Sequence, residues 1–390
     1  MPPSTETNKN AQLEILSRVD EIVKGRAKTT ELISLQKPIP VLDYSDVVVG
    51  RELGAGSFSC AYEIKSIGKK VMTQQYIMKK LSAKVVANPL LFVACAADLI
   101  NEGRILAAIQ HPNVVQLRGW SGPNMIEDYF QHSQREKCYL IMDRLDQNME
   151  TKLVQWKESK PSMWNLPSKR KQLEDDLKRE RYTGIIHLAR GLEHLHQHNV
   201  LHRDLKPGNI GFDASGTLKI FDFDLARVLP KSDDKDATFQ LTAKVGSPRY
   251  MAPEVVGGES YNLKADVYSF GLLAYQILTG KTPFKGIQFD WSKSNSKIPK
   301  TWTSDTRLVM EQCQSKNHKE RPTMVICVQE LELANKFAAS KNDETTQESS
   351  SDPFGLGNMC GVNVCGVGMD DFNEMLGLAP TTASDDESPQ

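Results

Sequence analysis

Apolar residues recur along this chain at two spacings. Ile185, Leu188, Ala189, Leu192 and Leu195 fall three or four apart, the period of one helix face, and predict an amphipathic helix with a histidine-rich end. Leu99, Ile105, Leu106 and Ile109 repeat that period, with Glu102 set into the same stripe. Val47 to Leu53 and Tyr76 to Leu81 are short apolar-rich runs that predict strands. Strand-like and helix-like segments alternate from Val47 to about Lys336, which sets the folded region at 46–336. Residues 1–45 carry only a weak helical pattern (Leu13, Leu16, Val19, Val23) and are expected to form an N-terminal extension, partly helical or disordered. From residue 337 the composition shifts. Between Lys341 and Gln390 ten acidic residues stand against one Lys, among Ser, Thr and Gly. That is too little apolar surface to offset the entropy of ordering, so 337–390 is expected to be a disordered acidic tail. Within it, Asp370 to Leu378 is an acidic–hydrophobic island.

Charge is balanced, with 48 Lys and Arg against 49 Asp and Glu in 390 residues. This argues against nucleic acid or membrane as a partner held by bulk electrostatics. The best apolar stretch, Pro89 to Ile100, is interrupted by Asp98 and is shorter than a bilayer-spanning helix. Met1 to Asn10 is polar and has no apolar signal core. Seven cysteines, an odd number with no Cys-x-x-Cys pair, point to reduced thiols in an intracellular protein, with the cytoplasm the expected compartment and the nucleus the alternative. His194 and His198 share a helix face, but no Cys or carboxylate completes a ligand set. Together with His196 and His202 they read as helix surface and loop. Lys169-Arg170-Lys171 is followed by Glu174, Asp175 and Asp176, which predicts a solvated, ion-paired helix.

The chemistry begins at Leu53-Gly54-Ala55-Gly56-Ser57. Glycines at a strand end let backbone N–H groups approach phosphate oxygens with no Cβ in the way. On the strand Tyr76 to Leu81 side chains alternate, so Ile77 and Lys79 share one face and Lys80 points the other way. A lysine on an inner face needs an anion, and Glu102 is its natural partner. Further on, His202-Arg203-Asp204-Leu205-Lys206-Pro207-Gly208-Asn209 and Leu218 to Asp224 put carboxylates, an amide and a lysine on loops a short hairpin apart. Phosphoryl transfer needs a group that orients the attacking hydroxyl, metal ions on the phosphate charge and a cation on the moving group. Asp222 and Asn209 supply the oxygen ligands that Mg2+ prefers.

These segments are followed in order by Ala252-Pro253-Glu254, Asp266-Val267-Tyr268-Ser269-Phe270-Gly271 and Arg321-Pro322-Thr323. Together they resemble the eukaryotic protein kinases from Val47 to Lys336. The resemblance implies an α+β, bilobal protein-kinase-like fold. A small antiparallel sheet with one main helix occupies 46–145, and a mostly helical lobe occupies 146–336. It implies a serine/threonine kinase that uses ATP and Mg2+, phosphorylates proteins bearing Ser or Thr acceptors, and serves intracellular signalling. Lys206 resembles the serine/threonine kinases, and the Glu320-Arg321-Pro322-Thr323 and Tyr268-Ser269-Phe270-Gly271 runs are similar to their tyrosine-kinase-like group.

By the same resemblance Asp204 orients the substrate hydroxyl, and Lys206 stabilises the transferring group. Lys79, paired with Glu102, contacts the ATP phosphates, while Asn209 and Asp222 hold the metal. Leu53, Gly54, Ala55, Gly56, Ser57, Ala61, Ile77, Met142, Asp143, Leu145 and Gly211 line the nucleotide site. Arg321 pairs with Glu254, and Asp266 braces the catalytic loop, both as structural groups. Arg203 awaits a phosphate on the segment Asp222 to Glu254, with Thr242 the best-placed target of an upstream kinase. The chain departs from the family at Ser59, the third loop glycine, and at Asp224, where Gly follows Asp-Phe. These two changes keep a pseudokinase scaffold as the alternative. Ile77 replaces an Ala in the nucleotide roof and Gly211 replaces a large floor residue, which reads as a compensating pair.

Overall fold

The computed structural model describes residues 38–68, 70–71, 75–122, 125, 137–159, 166–234, 236–284, 298 and 303–347. The helical pattern before residue 38, the last two of the seven cysteines and the island Asp370 to Leu378 lie outside the described residues. The described chain forms two units, a sheet unit (38–96 and 117–143) and a helical unit (97–116 and 144–347).

The sheet unit contains β1 (Val47–Ala55), β2 (Ser59–Ile67), β3 (Lys70–Val71), β4 (Tyr76–Leu81), the single turn α1 (Ala83–Val86) and the start of α2 (Pro89–Ala108). It closes with β5 (Leu117–Trp120) and β6 (Tyr139–Asp143). The strand order is β1-β2-β4-β6-β5, with β3 beside β2 and every pair antiparallel. Alternation decides what each strand buries. Tyr76 and Met78 join Val47, Ile64, Ile67, Tyr139 and Ile141 in one core. Lys80 has the parity of Met78 and lays its ammonium 4.8 Å from the Tyr62 ring centroid. Lys79 points to the opposite face and is buried there.

The helical unit follows with β7 (Gln147–Asn148), α3 (Met149–Glu158), α4 (Pro167–Gln197), β8 (Val200–Leu201), β9 (Ile210–Phe212), β10 (Leu218–Ile220) and β11 (Arg227–Val228). It ends with α5 (Pro253–Gly257), α6 (Lys264–Thr279), α7 (Ser304–Cys313) and α8 (Met324–Gln347). The Asn148 side chain accepts from Thr151 N at 3.0 Å and starts α3. The α4 stripe is buried as its spacing predicts: Ile185, Leu188, Ala189, Leu192 and Leu195 are all inaccessible. A Cβ on Gly191 would lie 2.9 Å from Asn113 O, so only glycine lets α4 approach that backbone. The basic run lies on the α4 surface, with Arg170 bonded to Glu174 at 3.1 Å. Helix α6 is buried on nearly every side from Ala265 to Ala274. Among the described residues no helix is long and apolar enough to cross a membrane.

An antiparallel sheet unit and a mostly helical unit are the α+β arrangement the resemblance implies, but two boundaries move. Residues 97–116, Glu102 among them, group with the helical unit rather than with a lobe spanning 46–145. Long-range bonds explain this: Asn101 Nδ2 donates to Ala226 O (3.1 Å), Asn113 Nδ2 to Leu218 O (2.9 Å) and Val115 N to Ile220 O (3.0 Å). At the other end, α8 continues to Gln347, beyond the edge placed at residue 336. No Gly or Pro interrupts 337–347, and Ala338, Ala339 and Lys341 favour helix.

Candidate active site

The loop after β8 is held from below by α6. Asp266 is fully buried and accepts from His202 N (2.7 Å), Arg203 N (2.9 Å) and His196 Nε2 (3.3 Å). It braces the loop as the resemblance implies. Burial alone would raise its pKa, but the bond and charge of His196, followed by His202, hold it below the ordinary value of 3.8. A carboxylate depressed in this way stabilises the fold fully above its ordinary pKa, and that contribution is lost as pH falls through the lowered value. Asp266→Asn is therefore expected to flatten the acid limb of stability against pH below 3.8. Denaturant unfolding at stepped pH measures this, and an unchanged slope would contradict the assignment.

Within that loop the two oxygens of Asp204 are treated differently. Oδ2 accepts from Lys206 Nζ at 2.7 Å and from Asn209 Nδ2 at 2.9 Å. Asn209 Nδ2 also reaches Asp204 O at 2.9 Å. Oδ1 is buried and has no hydrogen-bond partner among the described residues. An orphaned buried acceptor costs about 1–3 kcal/mol. Gly246 (φ +103°) passes close by. A Cβ there would collide with the Arg203 carbonyl and lie 3.6 Å from Asp204 Oδ1.

The second loop turns sharply at Asp222, whose φ of 68° lies in the left-handed region, as does that of Arg203 at 69°. Such residues cost on the order of 1–3 kcal/mol each and persist where surrounding bonds over-determine them. Glu102 Oε1 accepts from Phe223 N at 3.0 Å, and Phe223 packs edge-on against His202 at 4.9 Å. His202 and Phe223 therefore position the loops. Glu102, Asp222 and Asp224 each present a carboxylate oxygen within 4.8 Å of the others. With its amide nitrogen bonded to Asp204, Asn209 keeps its amide oxygen as the atom able to ligate. Hard oxygen donors of this kind suit Mg2+.

The remaining site residues belong to the sheet unit. Leu53, Gly54 and Ala55 end β1, with Gly54 paired to Ala61 and Ala55 to Cys60. Gly56 N donates to Ser59 O at 2.7 Å and closes a turn through Ser57. Ser59 contributes its main chain to this turn, so loss of the third glycine leaves the loop formed. Lys79 pairs with Ala61 on one side and Leu140 on the other, and Ile77 pairs with Met142. The Asp143 carboxylate is gripped by Arg118, Nε to Oδ1 at 2.8 Å and Nη2 to Oδ2 at 3.0 Å, with both side chains buried. The Asp143 carboxylate is thus committed to Arg118.

The sequence model of the protein kinase domain matches residues 47–331. The chain belongs to the protein kinase family. A probable serine/threonine-protein kinase of Dictyostelium discoideum is 29% identical over 259 residues, 66% of this chain and 17% of that protein. Ribosomal protein S6 kinase 2 alpha of Xenopus laevis is 33% identical over 245 residues, 63% of this chain and 28% of that protein. The dual specificity protein kinase pyk3 of Dictyostelium discoideum is 28% identical over 329 residues, 82% of this chain and 21% of that protein. The kinase chain thus spans less than a third of each of these relatives.

The floor position of this kinase is crowded by a neighbour within the helical unit. A Cβ on Gly211 would lie 2.6 Å from Leu145 Cδ1 and 3.2 Å from Leu145 Cβ. The bulk missing at 211 is supplied by Leu145 from within the helical unit. Gly211→Leu is expected to cost about 1–3 kcal/mol of stability through overpacking. Leu145→Ala in the same chain should recover part of that loss. Denaturant unfolding of the two variants tests this, and a neutral single change would show that the floor is empty after all.

Proposed function

We propose that this kinase transfers the γ-phosphoryl group of ATP to serine and threonine hydroxyls of proteins, with Mg2+ as cofactor, in intracellular signalling. The observation that carries the reading is Asp204, with one oxygen pinned by Lys206 and Asn209 and the other a buried acceptor without a donor. A substrate hydroxyl supplies that donor. Its proton moves to Asp204 Oδ1 as its oxygen attacks the γ-phosphorus and the bond to the β–γ bridging oxygen breaks, releasing ADP, while the Lys206 ammonium faces the charge of the moving group. Mg2+ on Asp222 and Asn209 would neutralise phosphate charge. Lys79 and the N–H groups of Gly54 to Ser57 would bind the ATP phosphates. A scaffold without catalysis has no use for a buried acceptor left unpaired, which weighs against the pseudokinase alternative. Lys206 and the relatives named as serine/threonine kinases support the choice of hydroxyl.

The test supplies purified chain with Mg2+, γ-labelled ATP and a generic protein acceptor, and then identifies the labelled residues. Label on serine or threonine, lost with a chelator and absent in Asp204→Asn, is the expected result. Transfer no greater than that of Asp204→Asn would overturn catalysis. Label confined to tyrosine would overturn the choice of hydroxyl alone.

A further inference from the structure

Arg203 directly precedes Asp204, and the resemblance implies that it waits for a phosphate on the segment that follows. Here its guanidinium is already engaged. Nε donates to Leu225 O at 2.6 Å and Nη1 donates to the Tyr261 hydroxyl at 3.2 Å. That hydroxyl in turn donates to Thr242 O at 2.9 Å. The two residues flanking Tyr261 extend the attachment along the segment. Phe239 and Tyr261 exchange main-chain bonds, Phe239 N to Tyr261 O at 3.0 Å and Tyr261 N to Phe239 O at 3.1 Å. Asn262 Nδ2 donates to Ala237 O at 3.0 Å, and Ser260 Oγ donates to Gln240 Oε1 at 2.9 Å. Ser260, Tyr261 and Asn262 therefore fasten the segment at 237, 239, 240 and 242, and none of these bonds involves a phosphate. Tyr261 is 1% exposed, so water does not compete for its hydroxyl.

We infer that Tyr261 is a positioning residue that latches the segment 237–242 to Arg203, so that this kinase is competent without a phosphate on Thr242. A phosphate at such a place orders a loop by adding charge-assisted bonds to an arginine. Here one neutral O–H group does both halves of that work: it takes the arginine's proton donor and satisfies a carbonyl of the segment. Thr242 contributes its carbonyl, which any residue supplies, while its side chain is exposed. Gly246 carries the tie onward, since its close approach to the Arg203 carbonyl needs an ordered segment.

The inference rests on the kinase reading of the site, and the experiment separates the two. Wild type, Thr242→Ala and Tyr261→Phe are treated with phosphatase, checked by mass spectrometry and assayed with Mg2+ and ATP. Amide hydrogen exchange of 237–246 is measured in Asp204→Asn chains with and without Tyr261→Phe, where self-phosphorylation plays no part. Phosphatase-treated wild type and Thr242→Ala are expected to keep full rate. Tyr261→Phe should lose about tenfold in kcat, the size of one or two hydrogen bonds, with KM for ATP unchanged and faster exchange across 237–246. A collapse of rate on dephosphorylation, a wild-type kcat in Tyr261→Phe or unchanged exchange would each overturn the latch. If wild type transfers no more phosphate than Asp204→Asn, the kinase reading fails, and the exchange measurement decides the latch by itself.

Discussion

Asp204→Asn is expected to lower kcat by about a hundred- to ten-thousand-fold, the range a positioned general base supplies, with KM for ATP nearly unchanged. The substitution keeps the size of the side chain and one carbonyl oxygen to accept from Lys206 and Asn209, which now meet at Oδ2 at 2.7 and 2.9 Å. What it changes is Oδ1, the buried acceptor without a partner. An amide nitrogen at that point would present a donor to a hydroxyl that must itself donate. Loss confined to kcat marks a group acting in the transition state rather than in nucleotide binding. Steady-state kinetics with ATP varied at fixed acceptor settles the matter. A fall of less than about threefold, well below the range for a general base, would remove Asp204 from its role.

Arg321→Ala is expected to destabilise the helical unit by about 3–5 kcal/mol, the cost of removing one partner of a buried ion pair. Arg321 is 1% exposed and its donors are fully used. Nη1 and Nη2 grip Glu254 at 2.6 and 2.8 Å, Nη1 also reaches Lys264 O at 2.9 Å, and Nε reaches Ser315 O at 2.8 Å. The guanidinium carbon also lies 5.0 Å from the Tyr268 ring centroid. One side chain thus ties α5, the start of α6 and the loop after α7 together. Removing it leaves the buried Glu254 carboxylate without its ion-pair partner. The double change Arg321→Met with Glu254→Leu should cost less than Arg321→Ala, because no buried charge is left unpaired. Denaturant unfolding of both variants checks the prediction, and a loss under about 1 kcal/mol, the scale of an exposed pair, would mean the pair is wet.

Much of the site could be read before any coordinates. The helix stripe from Ile185 to Leu195 and the opposed faces of Lys79 and Lys80 stand as the residue pattern implies, and the Arg321–Glu254 pair and the brace from Asp266 stand as the family resemblance implies. Arg118 was missed although a signal existed: an arginine between Leu117 and Gly119 in a buried strand needs an acid, by the argument applied to Lys79. Its partner Asp143 lies 25 residues away. Leu145 filling the space beside Gly211 had no signal, because side-chain direction at a bend is set by packing. Tyr261 had none either. It meets Arg203 across 58 residues through a single hydroxyl, and nothing in its local sequence marks it.

Residue order and side-chain chemistry were sufficient to place the family, the element types and the inventory of acids, amide and lysines. Those properties act over a few neighbouring residues, where periodicity and strand parity leave visible traces. Folding decided which Asp204 oxygen stays unpaired, where α2 changes allegiance between units, and how Arg203 is occupied. Each of these turns on contacts worth about 1 kcal/mol between distant segments, and such contacts exist only once the backbones around them have been packed into place.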